Sequence, residues 1–408
     1  MRFLSRQVVL PLFLSYSVSA WSMWTGNPSP SSHPHKTRKQ LFSTEQNPQE
    51  SDVVLCTSAD ITENIRHESE QEMEKVAQYF HSKQSSIRLI KTKEELTSYM
   101  SSNNINNYLF DCDGVLYRGS DPMPDASQTM QSLLDNGKQV FFVTNNAGSS
   151  RSELKNKLEK VLSLPKGTLQ EEMMIGSAFV AARYLRSLLI NENKAIHKRV
   201  HVIGTAGLCQ EMRNAGFDIS GGPDDSPSGM SREELASYPF PEGEIDAVVI
   251  GLDNDFNYRK LCIATVLLQR NPQAVLVATN RDAFDLVGYD ARHLPGNGAL
   301  VSSVEVASGR TAINVGKPSP VLANWLMEEF NLNLDETMMI GDRLDTDVKF
   351  GNCSRMKCSA LVLTGCTTVN EIEELMLRME GDTNKEESRE MIPTTIFPHV
   401  GYMVVNDT

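Results

Sequence analysis

From about residue 105 onward, apolar residues fall into short blocks separated by amphipathic stretches. The segments NNYLFDCDG, KQVFFVTNN, RVHVIG, EIDAVVIG, QAVLVATN, TAINVGK, TMMIGD and SALVLTG each carry an apolar run that gives way to polar or glycine positions. Runs of that length, bounded by turn formers, predict buried β-strands. Between several of them lie SELKNKLEKVL, SAFVAARYLRSLL, YRKLCIATVLLQR and VLANWLMEEF, whose apolar positions recur at helical spacing. Such alternation predicts α/β units with largely parallel sheets. Ligands of parallel sheets bind at the carboxyl ends of strands, so chemistry is to be sought just after each apolar run. Residues 45–100 are polar and partly helix-forming (ENIRHESEQEMEKVAQYF, TKEELTSYM), and they predict a flexible lead-in followed by a helix. No internal repeat and no further transmembrane stretch is visible.

Composition refines this picture at the N-terminus. The 408 residues are 40% hydrophobic and 22% charged, the balance of a soluble globular protein. Lys+Arg number 39 against 52 Asp+Glu, a formal charge of −13, which argues against nucleic acid or an anionic membrane as main partner. All five charges in residues 1–44 are basic (Arg2, Arg6, Lys36, Arg38, Lys39), leaving the remainder at −18. VVLPLFLSYSVSA, behind Arg2 and Arg6, is too short to span a bilayer, and small residues at Val18 and Ala20 suit a secretory signal ending before Trp21. Residues 21–50 are Ser- and Pro-rich, with no acidic residue before Glu45, as in a transit peptide. Together they resemble the two-part plastid address of algae with secondary plastids; an exported protein with a disordered linker is the alternative. Seven scattered cysteines without a CxxC predict neither a zinc site nor a disulfide framework.

Four strand ends carry candidate chemistry. Asp111-Cys112-Asp113-Gly114 places two carboxylates one residue apart, able to serve as nucleophile, metal ligand or acid/base pair, or as an ordinary turn. Thr144-Asn145-Asn146 offers a hydroxyl and amide donors to an anion, or a helix N-cap. In Gly316-Lys317-Pro318-Ser319-Pro320, Lys317 could neutralise a phosphoryl group or lie solvated at the surface. Gly341-Asp342-Arg343-Leu344-Asp345-Thr346-Asp347 brings three carboxylates that need a balancing charge if they converge, or forms an acidic loop capped by Asp345.

In this order, each at a strand end, the four segments resemble the motifs of the haloacid dehalogenase superfamily of phosphatases, from about Asn104 to the C-terminus. The stretches HVIGTAGLCQEMRNAGFD, DAVVIGLDNDFNYRKL and VLVATNRDAF resemble its large-capped branch of phosphoglycolate, 4-nitrophenyl phosphate and pyridoxal phosphate phosphatases. The resemblance implies a Rossmann-like parallel-sheet core over 101–190 and 314–408 and an inserted α/β cap over 191–313, preceded by the polar helical lead-in over 51–100 read from composition. It implies that Asp111 attacks phosphorus to form an aspartyl-phosphate and that Asp113 acts as acid and then base. Mg2+ would be held by Asp111, Asp342 and the backbone carbonyl of Asp113. Thr144, Asn145, Asn146 and Lys317 would grip the phosphoryl oxygens, with Asp347 orienting Lys317 or a metal-bound water and Asp345 facing outward. Cys112 points away from the aspartates as an inert thiol.

The expected substrate is a small phosphomonoester. The ATNRDAF wording favours 2-phosphoglycolate, and Asp285 stands where pyridoxal phosphatases of the branch place a histidine. A broad-specificity 4-nitrophenyl phosphate or pyridoxal phosphate phosphatase is the alternative, and a phosphoacceptor signalling domain is the non-enzyme alternative. Oligomeric state is not legible, a homodimer being one open arrangement.

Overall fold

The computed structural model describes residues 57–81, 83, 85–189, 198–223, 230–239, 244–287, 292–381 and 385–404. The signal and transit-like segments lie outside the described residues. Sixteen strands occur among those described: β1 (Arg88–Leu89), β2 (Asn107–Phe110), β3 (Tyr117–Arg118), β4 (Asp121–Pro122), β5 (Gln139–Thr144), β6 (Met174–Gly176), β7 (Arg199–Ile203), β8 (Asp218–Gly221), β9 (Ala247–Ile250), β10 (Val275–Ala278), β11 (Phe284–Val287), β12 (Arg292–Pro295), β13 (Ile313–Asn314), β14 (Thr337–Gly341), β15 (Cys358–Val362) and β16 (Thr395–Phe397). A seven-stranded sheet runs β1-β16-β15-β14-β2-β5-β6 and a five-stranded sheet runs β13-β10-β9-β7-β8. Every pairing in both is parallel.

Parallel strands covered on both faces are apolar at successive positions rather than alternate ones. Tyr108, Phe110, Val140, Phe142, Met338 and Ile340 enter one core cluster. Their neighbours Leu109, Phe141, Val143 and Met339 enter another on the opposite face. The helices Ala126–Asp135 and Arg151–Val161 cover the first face, through Met130, Leu133, Leu154 and Leu158. Ser177–Leu189 and Pro320–Phe330 cover the second, through Ala181, Leu185, Leu322 and Leu326. The five-stranded sheet has its own cluster, in which Ile203, Val248, Ile250 and Leu276 pack on Ile263, Leu267 and Val301. In chain order it falls between β6 and β14, so the chain leaves the larger sheet, builds the smaller one and returns.

From Thr57 onward the lead-in is helical, with two helices where one was expected after a flexible stretch. Thr57 and Asp60 form a capping box that opens the helix Ser58–Phe80. Its buried face (Ile65, Met73, Val76, Phe80) is spread over four turns among charged residues, which dilutes the apolar signal. Met73, Val76 and Phe80 pack with Val369, Ile372 and Ile396. A second helix, Lys93–Ser102, buries Leu96 and Met100. Among the described residues no helix is long and apolar enough to cross a membrane.

Candidate active site

β14, β2 and β5 are neighbours, so their carboxyl ends deliver Asp342, Asp111 and Thr144 to one edge of the sheet. The ladder continues one residue past β2, the Asp111 N–H donating to the Ile340 carbonyl (2.9 Å). Lys317 follows β13 by three residues and is buried. Its Nζ donates to Asp111 Oδ1 (2.5 Å) and to the Val143 carbonyl (2.7 Å), and pairs with Asp347 Oδ1 (2.7 Å). Asp347 Oδ2 accepts the backbone N–H groups of Asp342 (3.2 Å) and Arg343 (3.1 Å). Asp342 Oδ2 accepts the Cys366 N–H (2.6 Å). Carboxylate oxygens of Asp111, Asp342 and Asp347 all lie within 4.8 Å of one another. The backbone yields to this cluster at Gly114, whose φ of +81° favours glycine and where a Cβ would stand 2.5 Å from Asp342 Oδ2.

The electrostatics follow from crowding like charges out of water. Burial pushes the Asp111 carboxyl well above the usual range; Lys317 opposes this, while Asp347 and Asp342 add to it. Burial and then Asp347 push Asp342 up to about 7, against the Cys366 N–H and Arg343. Burial pulls Lys317 down, but Asp111 and Asp347 outweigh it and hold the ammonium well above its ordinary pKa. One ammonium among three carboxylates leaves excess negative charge, and the donors are all oxygen. A hard divalent cation fits that set.

The Asp113 carboxylate stands outside the cluster, exposed, and Oδ2 accepts the Tyr117 hydroxyl (3.1 Å). Tyr117 is buried, and burial first, then Cys112 and the neighbouring aspartates, raise its pKa, so it stays a donor. Nothing in the sequence singled it out beyond its place four residues after Asp113. Cys112 packs in the core, and burial, then Asp111 and Asp113, push its thiol well up, in keeping with an inert residue.

Thr144 is buried and its Oγ1 accepts the Asn146 N–H (3.1 Å). Asn146 is exposed, with Oδ1 accepting the Gly148 N–H (2.8 Å). Neither caps the following helix, which begins with a capping box at Ser150. Asn145, expected to grip a phosphoryl oxygen, is bound to protein groups at both ends of its amide. Its Oδ1 accepts the Lys317 N–H (2.8 Å), while Nδ2 donates to the Lys317 carbonyl (3.2 Å) and to Asp282 Oδ1 (2.8 Å). With both ends of the amide engaged, it clamps the Lys317 backbone.

Asp345 lies exposed on the outside, in the expected direction, but not as a cap. It caps nothing: the turn Leu344–Val348 starts at Arg343 without a side-chain cap, and Asp345 pairs with the Arg343 guanidinium (3.1 Å). Arg343, read in the sequence only as part of an acidic run, also donates Nη1 to the Phe284 carbonyl (3.1 Å) and lies over the Phe284 ring (4.8 Å to the centroid). It thus joins the Asp342 loop to the segment Thr279–Asp285. In that segment burial lifts Asp282 up to about 6, with Arg343, Asn145 and Lys317 opposing. Burial also raises Asp285; Arg343 opposes, and the Asp113 charge adds to the rise.

Residues 108–218 match the family model described as haloacid dehalogenase-like hydrolase, and residues 314–384 match one described as HAD-hydrolase-like. The chain is 36% identical over 281 residues to phosphoglycolate phosphatase 1A, chloroplastic, of Arabidopsis thaliana, spanning 68% of this chain and 74% of that protein. It is 39% identical to the glycerol-3-phosphate phosphatase of Gallus gallus (66% of this chain, 83% of that protein) and 36% identical to human chronophin (67% and 86%). Its fold is similar to p-nitrophenyl phosphatase from Archaeoglobus fulgidus, with a TM-score of 0.58 at 24% identity over 74% of this chain and 98% of that one. A glycerol phosphate phosphatase from Mycobacterium tuberculosis in complex with magnesium gives 0.55 at 26% identity, over 74% and 76%. With that likeness in sequence and in fold, the chain belongs to the haloacid dehalogenase-like hydrolase family, among its phosphatases.

Proposed function

We propose that the chain hydrolyses a small phosphomonoester through an aspartyl-phosphate, and that 2-phosphoglycolate is its preferred substrate. The observation that carries the chemistry is the division of labour around Lys317. Asp111 keeps 12% of its side chain exposed, against 2% for Lys317 and 1% for Asp347, so among these buried groups it is the one a substrate can reach. Lys317 holds Oδ1, which leaves Oδ2 to attack phosphorus. Asp113, steadied by Tyr117, gives the leaving oxygen its proton and later takes one from the water that cleaves the acyl-phosphate. Thr144 and the exposed Asn146 are the donors offered to the phosphoryl oxygens, whereas Asn145 serves them through Lys317. Both Asp347 oxygens are engaged, which favours Asp111 and Asp342, with the Asp113 carbonyl, as Mg2+ ligands and Asp347 as the group that orients Lys317. Bound there, Mg2+ supplies positive charge against the transferring phosphoryl group.

The smaller sheet, largely within the span 191–313, acts in this reading as a cap whose loop after β10 brings Asp285 toward the leaving group. The Arabidopsis relatives support 2-phosphoglycolate, and their chloroplastic names support a plastid destination for the leader. The N-terminal residue of the protein taken from cells tests that destination, a start at Met1 contradicting it. A second reading rests on Asp285: a half-buried carboxylate in this loop suits a neutral, hydroxylated leaving group such as glycerol better than an anionic one. Turnover of 2-phosphoglycolate, glycerol 3-phosphate, pyridoxal 5′-phosphate and 4-nitrophenyl phosphate with Mg2+ decides. The highest kcat/KM is expected for 2-phosphoglycolate, and glycerol 3-phosphate in first place would establish the second reading. A stoichiometric burst of phosphate without turnover would point instead to a phosphoacceptor.

Mg2+ binding is expected to be proton-linked. Asp342 is protonated below about 7, so a cation must displace that proton at pH 6 but not at pH 8. The increase in Tm on adding Mg2+ should therefore grow from pH 6 to 8, the binding free energy changing by up to about 1.4 kcal/mol per pH unit below 7. Thermal unfolding with and without Mg2+ checks this. An increment that is flat with pH, or that survives in Asp342→Asn, contradicts it.

A further inference from the structure

We propose that Asp282 is a positioning residue: through the Asn145 amide it fixes the backbone of Lys317, and so couples the seating of the Thr279–Asp285 loop to the ammonium that holds Asp111. The inference deepens the phosphatase reading given above.

A primary amide has two donors on nitrogen and acceptor capacity on oxygen. Nδ2 of Asn145 meets two acceptors, Asp282 Oδ1 (2.8 Å) and the Lys317 carbonyl (3.2 Å), while Oδ1 meets one donor, the Lys317 N–H (2.8 Å). Turned over, the amide would set NH2 against N–H and oxygen against a carboxylate. Asp282 therefore reinforces, with a charged acceptor, the orientation in which Asn145 holds both backbone groups of Lys317. The ammonium of the same lysine donates to the carbonyl of Val143, two residues before Asn145 (2.7 Å). Backbone and side chain of Lys317 are thus both referenced to the end of β5.

Asp282 is itself fixed. Its N–H donates to Asn280 Oδ1 (3.1 Å), and its carbonyl accepts the Gly298 N–H (2.9 Å) at the start of the helix Asn297–Ser308. Asn280 in turn donates to the Asn145 carbonyl (2.7 Å), which also accepts the Ser177 hydroxyl (2.6 Å). Room for this close approach depends on Gly316, where a Cβ would stand 2.6 Å from Asn145 Oδ1. Lys317 follows β13 and the loop follows β10, neighbouring strands of the smaller sheet, and Asn145 at the end of β5 ties both to the larger sheet, with Asp282 and Asn145 lying 137 residues apart in sequence.

A double-mutant cycle tests the coupling on the full chain with Mg2+ and its best phosphomonoester. Asp282→Ala is expected to lower kcat about tenfold with KM changed less than about twofold. Asp282→Asn, which keeps an acceptor at Oδ1, retains kcat. The double variant Asp282→Ala/Asn145→Ala is expected to match Asn145→Ala alone, because Asp282 acts only through Asn145. Losses that multiply in the double variant, or a raised KM at unchanged kcat, overturn the proposal and make Asp282 a substrate contact. Should Asp282→Ala not fold, Asp282→Glu keeps the charge, displaces the carboxylate by one methylene and is expected to give the same split. Deuterium uptake in the peptide spanning Gly316–Ser319 provides a measurement that needs no turnover. It should rise about tenfold in rate in Asp282→Ala and stay unchanged in Asp282→Asn; equal uptake in all three proteins also overturns the proposal. Inactivity of the wild type on every phosphomonoester would defeat the functional reading and leave this exchange result to decide the coupling.

Discussion

Asp111→Asn is expected to yield a folded protein whose phosphomonoester turnover is lower by about four orders of magnitude or more. The amide keeps the shape of the carboxylate but lacks the anionic oxygen that attacks phosphorus, so no covalent intermediate forms. The fold should survive for an electrostatic reason. Burial together with Asp342 and Asp347 already disfavours charge at this position, so a neutral group relieves repulsion there. Lys317 loses one contact but keeps the Asp347 carboxylate and the Val143 carbonyl. Steady-state release of phosphate, single-turnover phosphate transfer and thermal unfolding, compared with wild type, check the three parts. Activity within tenfold of wild type would remove Asp111 as nucleophile. A Tm lower by more than about 5 °C would show that the carboxylate is charged and favourably paired, contrary to its position in the cluster.

The same residues show why much of the site was legible before the fold was known. Strands buried on both faces produce continuous apolar runs, and such a run ends where the chain reaches solvent or a site. Asp111, Thr144 and Asp342 were visible as the first polar residues after YLF, FFV and MMIG. Lys317 was placed by resemblance, since its partner Asp111 lies 206 residues away and no local pattern links the two. The contacts of Asn145 were not legible, because an amide suits a phosphoryl group and a backbone clamp equally well. What decides is Asp282, brought in from the other sheet. Arg343 was read as part of an acidic loop because its contact, the Phe284 carbonyl, belongs to the inserted segment. β1 and β16 hold two and three residues, too few to carry a period. The helix Ser58–Phe80 spreads its apolar face among charged side chains that a composition window averages away.

Lys317→Met should damage stability as well as chemistry, and the pH and Mg2+ dependence of the damage is the informative part. In the wild type one buried ammonium contacts Asp111 and Asp347, with Asp342 close by. Replacing it by an apolar chain of similar length leaves those carboxylates without their balancing charge, a loss of about 3–5 kcal/mol for a broken buried pair. At pH 8 without Mg2+ the expected decrease in Tm is roughly 10 °C, and turnover should fall below detection. The variant can lower that cost by holding protons on the cluster. Asp111 and Asp342, already raised in wild type, will then have folded-state pKa values still further above the unfolded value, so the folded state binds more protons than the unfolded state across the acid-to-neutral range. Stability consequently rises as pH falls, and the deficit against wild type should shrink between pH 8 and pH 5. Mg2+ should shrink it too, by supplying the charge the methionine lacks, while leaving turnover abolished because nothing then holds Asp111 Oδ1. Urea midpoints of both proteins over that pH range, with and without Mg2+, measure the deficit directly. A deficit independent of pH and Mg2+ would mean that packing around the aliphatic stem of Lys317, rather than its charge, holds the cluster together.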